Sequence, residues 1–354
     1  MRILFLPNWT VYQLAEDNPS LQAPDKYVKG ESYWFFRYFT QMPEVDIVDI
    51  HKGNILHILE VKLKFYIWQS ILAYRKQKKY DIIISHGAQS GVMLALLRCL
   101  FGKGRTKHII FDIGGMNGAR AKGFSTRLIQ WAMKSNPYII CHSRNILKNL
   151  EGTYPWLLDR AVFIPFGIGT YQYTIRLGIT TSRDIFVFGG KKRDVATVIA
   201  SWRKIVSDGA DKGYRLLVVG DILRYDVQSC ISVGRLRYDE YIEALEKAAF
   251  AILPLEDFSY SYGQMSLLGA LALGKYVIAS QAGGISDYYP FCSAVRTVPC
   301  SDPNAMRDAI THFIDNPSEI TDRTIPRNEV NSFFNEEDMA ARIESFINRV
   351  MAEK

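Results

Sequence analysis

SYSYGQMSLLGALALGKYVIAS, Ser259 to Ser280, is the stretch on which the reading of this chain turns. It follows a short apolar strand, Phe250 to Pro254 (FAILP). A turn, Ser261-Tyr262-Gly263-Gln264, leads into a helix predicted over Met265 to Leu273, and Gly274 stops it. A second strand, Tyr276 to Ala279, comes next. Leu267, Leu268, Ala270, Leu271 and Ala272 make the helix apolar nearly all round, which argues that it is buried. A buried helix starting at Gly-Gln aims free backbone N–H groups, and the positive end of its dipole, at the strand ends. That is an anion site suited to phosphate. The same stretch also reads as an ordinary strand–turn–helix unit with a glycine for packing.

Outward from this stretch the pattern repeats. Downstream lie Gly283-Gly284-Ile285-Ser286-Asp287, a strand at Val295 to Val298, and a last helix, Glu336 to Met351, with Asn335 as its cap. Upstream, Asp184 opens a strand, IFVFGG, followed by Lys191-Lys192-Arg193-Asp194 and a helix over Val195 to Val206. Tyr214 to Gly220 is a strand, Ser232 to Leu236 a strand end and turn, and Asp239 to Ala248 a helix. The first half alternates in the same way. Strands are predicted at Arg2 to Pro7, Val45 to Ile50, Tyr80 to Gly87, His108 to Asp112, Tyr138 to Cys141 and Val162 to Gly167. Helices are predicted from Glu31 to Met42, Val61 to Tyr80, Gly91 to Leu100, Phe124 to Lys134 and from His142-Ser143 to Leu150. Such alternation argues doubly wound parallel sheets, whose ligands sit beyond the carboxyl ends of the strands. In the first half those ends carry His86, Asp112 and Ser143. The long segment between the first strand and its helix, Asn8 to Gly30, is of a length usually reserved for function or movement. Residues 1–168 are read as one domain, 169–183 as a linker, 184–334 as a second domain and 335–354 as a helix returning to the first.

The 354 residues suffice for two ordinary domains. Charge is uneven. Met1 to Ile168 holds 22 Lys and Arg against 12 Asp and Glu, whereas the remainder holds 21 against 24. Nine cations face the single acid Asp112 between Phe101 and Leu150. A basic first half suits an anionic surface or substrate. No RNA- or DNA-binding motif accompanies it, so nucleic acid is not the expected partner. The predicted helix at Val61 to Tyr80 joins aromatic residues to a basic end, which fits a membrane surface, or equally a core helix with a solvated cap. The five cysteines are scattered and contain no CxxC, and read as reduced. Met1-Arg2 leads directly into a strand rather than a signal peptide. The longest apolar run, Gly91 to Leu100, is too short to span a bilayer and contains Arg98.

Three features of the second half stand at strand ends: Gly189-Gly190-Lys191-Lys192-Arg193, Gly234-Arg235, and Ser261-Tyr262-Gly263-Gln264. Flexible turns, cations and a helix N-terminus would together neutralise a diphosphate without a metal. The order IPFGIGT, GGKKRD, VVGD, GRL, ILPL, SYGQMSLLGALALGKYVIAS and GGISDYY resembles the retaining, GT-B-fold glycosyltransferases of the family 4, or group 1, type. The resemblance covers most of Val162 to Tyr289, and the first half is similar only in strand order. It implies two Rossmann-like domains facing a cleft, with a nucleotide sugar bound by the second and an acceptor by the first. Donor contacts would fall on Gly190, Lys191, Lys192, Arg193, Arg235, Tyr262, Gly263, Gln264 and Asp257, with Arg193 favoured among the cations. Asp112 and His86 are the candidates on the acceptor side, Asp112 to position or deprotonate a hydroxyl. Each also reads as a structural residue.

The chain departs from that family where the pattern has two glutamates eight positions apart. Those positions are Ser261 and Gly269 here. Asp257 or Glu256 is an alternative for the first, and Asp287 stands where the family often has Glu. The activity implied is transfer of a sugar, with retention and without cofactor or metal, from a nucleotide-diphosphate sugar to a hydroxyl. The acceptor would be lipid-linked or a nascent polysaccharide of a bacterial-type surface glycan, and the enzyme would sit peripherally at the cytoplasmic membrane face. A GT-B-fold nucleotide-sugar epimerase is the alternative, though it needs paired carboxylates in the cleft. A non-catalytic relative within a glycan assembly complex is another.

Overall fold

Runs of Ile, Leu, Val and Phe without polar alternation form strands buried on both faces. The computed structural model describes residues 1–50, 55–116, 124–176, 181–220 and 225–353. Arg120 and Lys122 of the basic stretch, Asp221 of the VVGD motif and residues 177–180 of the linker lie outside these. Among the described residues, the first six-stranded sheet runs Glu44–Ile47, Arg2–Leu6, Ile82–His86, Lys107–Asp112, Tyr138–Cys141, Ala161–Phe163. The second, also six-stranded, runs Cys230–Val233, Arg215–Val219, Asp184–Phe188, Phe250–Leu253, Val277–Ser280, Val295–Val298. Pairing is parallel throughout both, with Phe5 opposite Ile84 in one and Val187 opposite Ile252 in the other. This is the doubly wound α/β architecture, twice, in two domains.

The chain direction across each sheet reverses at its first strand, Arg2–Leu6 or Asp184–Phe188, which is where such sheets bind ligands. The carboxyl ends of the two sheets face each other. Gly114, after Lys107–Asp112, lies so close to Tyr260 of the second domain that a Cβ there would overlap it. Asp287 Oδ2 accepts from Arg144 N at 2.7 Å and from Ser143 Oγ at 3.2 Å, so the second domain caps a first-domain helix, Arg144–Thr153. Asn145 Nδ2 donates to Gly283 O at 2.6 Å, and Tyr288 Oη donates to His142 O at 2.9 Å. The terminal helix, Glu336–Ala352, lies on the first domain, where Glu344 accepts from Thr40 N, Thr40 Oγ1 and Gln41 N.

Several local expectations are corrected. The segment from Glu31 to Met42 forms only a short 3-10 turn, Trp34–Tyr38. Tyr33, Trp34, Phe35 and Phe36 are all buried, whereas a helix buries one stripe, so the chain bends to place every ring inward. The single helix expected over Val61 to Tyr80 is two, Ile55–Leu63 and Ile67–Lys76, parted at Lys64, whose φ is +58°. Two further helices, Pro303–Asp315 and Thr324–Phe333, carry no assignment from periodicity. The first has a readable start in Asp302, whose carboxylate accepts from Asn304 N and Ala305 N ahead of Pro303.

Candidate active site

The helix of the Ser259 to Ser280 stretch spans Gln264–Ala272. Leu267, Leu268 and Leu271 are fully buried, each worth about 1.5–3 kcal/mol against exposure. That burial pins the helix and fixes where its first turn points. Gly263 has φ +96°, a left-handed conformation that side chains resist. A Cβ at Gly263 would also stand 3.3 Å from Leu255 and 3.5 Å from Arg193 Nη1. The N–H groups of Gln264, Met265 and Ser266 precede the first i→i−4 bond, from Leu267 N to Gly263 O at 2.9 Å, and have no partner within the helix.

Against this helix start lies Arg193. Its Nη2 donates to Ser266 Oγ at 3.0 Å, its guanidinium covers the Tyr262 ring at 4.7 Å, and its buried Nη1 has no partner among the described residues. Burial lowers its pKa, but an arginine stays charged from so high a starting value. Arg193, Met265 and Ser266 line a cleft of about 740 Å³ together with Phe188, Gly189, Gly220 and Arg235. A buried donor of a cation, a helix N-terminus and a glycine turn thus meet at one opening. Such an arrangement can hold an anion and neutralise charge that grows on a departing one.

Other expected donor residues take different places. Lys192 turns to the Phe258 and Tyr260 rings, at 4.7 and 5.6 Å, and toward Glu256 at 3.9 Å. Lys191 contributes its carbonyl, which accepts from Tyr262 Oη at 2.7 Å and holds the turn against the helix start. Gly190, at φ +98°, lets that turn pass close to Gly220 O. Gln264 spends its side chain on Gly284 O at 2.9 Å, which leaves its backbone N–H for the site. Asp257 accepts from Gly283 N at 3.3 Å and does not line the cleft.

On the first domain, the two candidates are buried. Asp112 Oδ1 accepts from Gly114 N at 2.8 Å and Met116 N at 3.4 Å, tying the turn beyond its strand. Asp112 is fully buried, and that desolvation raises its carboxyl to about 6. His86 sits in a box of rings, stacked on Phe111 at 5.2 Å and edge-on to Trp9 at 4.7 Å. Burial, then the neighbouring His142, lowers it to about 3, so it is neutral. Neither residue lines the cleft that holds Arg193.

The cleft also holds residues that motif reading passed over. Tyr173, Tyr238 and Tyr241 line it, and Ser20, Leu21, Gln22 and Asp25 of the long first-domain segment close it from across. That segment is anchored by Trp9 Nε1 and Tyr33 Oη, which both donate to Pro24 O. Its length was the signal. The tyrosines offered none, because they come from the linker and from an unremarkable helix, Tyr238–Lys247.

Residues 183–316 match the family described as glycosyl transferases group 1. Sucrose-phosphate synthase from Thermosynechococcus elongatus has a similar structure over 100% of this chain and 100% of its own, at 17% identity and a TM-score of 0.69. A glycosyltransferase from Rickettsia africae ESF-5 is similar over 100% and 99%, at 12% identity and 0.65. Anabaena Alr3699/HepE, solved in complex with UDP, is similar over 99% and 100%, at 13% identity and 0.66. No curated protein matches the sequence. The fold is GT-B. Residues 183–316, most of the second domain, are thus similar to the group 1 glycosyltransferases.

Proposed function

We propose that this protein transfers a glycosyl group, with retention and without a metal, from a nucleotide-diphosphate sugar to a hydroxyl of a lipid-linked or nascent glycan acceptor. The observation that carries the reading is the meeting of unpaired Arg193 Nη1 with the Gly263 helix start in one cleft. In this scheme the diphosphate departs toward Arg193 and the N–H groups of Gln264, Met265 and Ser266. The acceptor attacks the same face of the sugar, and the departing phosphate oxygen takes its proton. Asp112 then supports the Gly114 to Met116 turn rather than acting as the base.

The acceptor side of the proposal draws on the first domain's surface. Ile58, Leu59, Val61 and Leu63 are exposed on helix Ile55–Leu63, beside exposed Lys62 and Lys64. Arg75, Lys76, Lys78 and Lys79 are exposed further along. Exposed apolar side chains among cations suit the headgroup region of an anionic bilayer. Among the described residues, no helix is long and apolar enough to cross a membrane. Product analysis with a panel of nucleotide sugars and lipid-linked acceptors tests the assignment. Transfer supports it. Free epimerised sugar would replace it with an epimerase, and absence of any turnover with every donor would replace it with a binding role.

A further inference from the structure

We propose that the hydroxyls of Tyr173 and Tyr238 recognise the ribose of the donor nucleotide, in the space where the family pattern carries a glutamate side chain from position 269. The inference rests on the nucleotide-sugar reading above and specifies how that site reads its ligand.

A Cβ on Gly269 would stand 3.1 Å from Tyr173 Cε1 and 3.3 Å from Tyr173 Oη. The phenol therefore fills the volume into which a longer side chain would project, and puts a hydroxyl there. Tyr173 is held firmly from the linker side. Its N–H donates to Thr170 O at 3.0 Å, and its carbonyl accepts from Arg327 Nη1 at 2.5 Å. The same Arg327 nitrogen reaches Ala272 O at 2.7 Å, at the far end of the Gln264–Ala272 helix. Linker and helix are thereby locked in the register that sets Tyr173 over Gly269.

Tyr238 supplies the second hydroxyl. It opens helix Tyr238–Lys247, and its ring stacks on Tyr241 at 6.5 Å. Its buried hydroxyl lies against that of Tyr173, with which it shares a hydrogen bond. Two phenols that share one hydrogen bond keep one O–H donor and their remaining lone pairs for a ligand. Both tyrosines line the cleft with Arg193 and Ser266, so a diphosphate at Arg193 would bring its ribose within their range. Phenol hydroxyls donate and accept, as a vicinal diol requires. Burial raises both phenols far above neutrality, which keeps them protonated and uncharged. A glutamate would instead bring a negative charge next to the diphosphate. The departure at Gly269 is thus compensated by groups from elsewhere in the chain.

The test uses the full chain and calorimetric titration with UDP, GDP and ADP, and with the 2′-deoxy counterpart of whichever binds best. The ribose form should bind about tenfold tighter than the deoxy form, the loss expected for one or two neutral hydrogen bonds. Tyr173→Phe and Tyr238→Phe should narrow that ratio by weakening the ribose form alone. Tyr173→Ala combined with Gly269→Glu should restore the ratio lost in Tyr173→Ala. A wild-type ratio near one, or a ratio unchanged in both phenylalanine variants, would overturn the inference while leaving the donor site intact. Failure of the wild type to bind any of the three diphosphates would instead remove the nucleotide reading on which it depends.

Discussion

The two sheets turn similar strand ends toward each other and equip them differently. Beyond Asp184–Phe188, Arg193 keeps a buried nitrogen without a partner beside the open first turn of a helix. Beyond Lys107–Asp112, one oxygen of a carboxylate ties its own turn while the other is buried without a partner among the described residues, and at the end of Ile82–His86 a neutral imidazole is packed among rings. The difference shows how a reactive side chain at a strand end can be sorted. Arg193 lines the cleft, so its free nitrogen lies beside the space a ligand would fill, whereas Asp112 and His86 do not line it and serve the turn and the ring cluster around them. The second domain brings a cation and a helix start together at the cleft from its own residues. The first contributes shape, rings and the segment that closes the cleft through Gln22 and Asp25.

The contrast is sharpest at Arg193 and Asp112. Arg193→Ala should lower turnover by about two to three orders of magnitude, the scale of removing one preorganised donor from developing charge. Its thermal transition should barely move, and steady-state rates within tenfold of wild type would break the comparison. Asp112→Asn should act on stability instead. Burial raises the folded-state carboxyl from its ordinary value of 3.8 to about 6. Protons therefore bind the folded form more tightly, and this group's contribution is present below about 4 and lost as pH rises through about 6. The wild type should lose on the order of 3 kcal/mol relative to the asparagine variant across that window. A pH-independent difference between their melting curves would contradict the buried-carboxylate account.

Smaller effects probe the seam between the domains and the cation run. Asp287→Ala removes a cap on Arg144 N that crosses the seam and should cost about 1 kcal/mol. Small-angle scattering should show a larger radius of gyration, with diphosphate affinity in the second domain unchanged. An unaltered radius would mean that the seam is held by its other contacts. Lys192→Ala should change turnover by less than about threefold, since an exposed cation over two rings contributes little. A loss matching that of Arg193→Ala would place Lys192 on the diphosphate after all.

Much of the fold was legible because its strands are uninterrupted apolar runs and its helices begin with readable caps. Ser143 and Asn335 cap as their residue types suggest. What escaped has physical causes. Four consecutive aromatic residues at Tyr33 to Phe36 have only middling helix propensity, and packing that buries all four leaves no room for a helical stripe. Lys64 breaks a helix by a backbone turn that no residue type announces. In the site, Arg193 was visible through its place after a glycine turn at a strand end. Lys192 was indistinguishable from it by residue type, because only the left-handed φ of +63° at Lys192 sends the two side chains apart. Tyr173 was hidden for a different reason. Its nearness to Gly269 joins positions 96 apart in the chain, and no local pattern encodes that contact.

The central claim is that Arg193 and the helix start at Gly263 hold a nucleoside diphosphate. Titration of UDP, GDP and ADP into the wild type and into Arg193→Ala measures it directly. Saturable binding of at least one of them to the wild type, weakened about tenfold or more in the variant, is the predicted result. Equal affinity of the two proteins for the same diphosphate would contradict it.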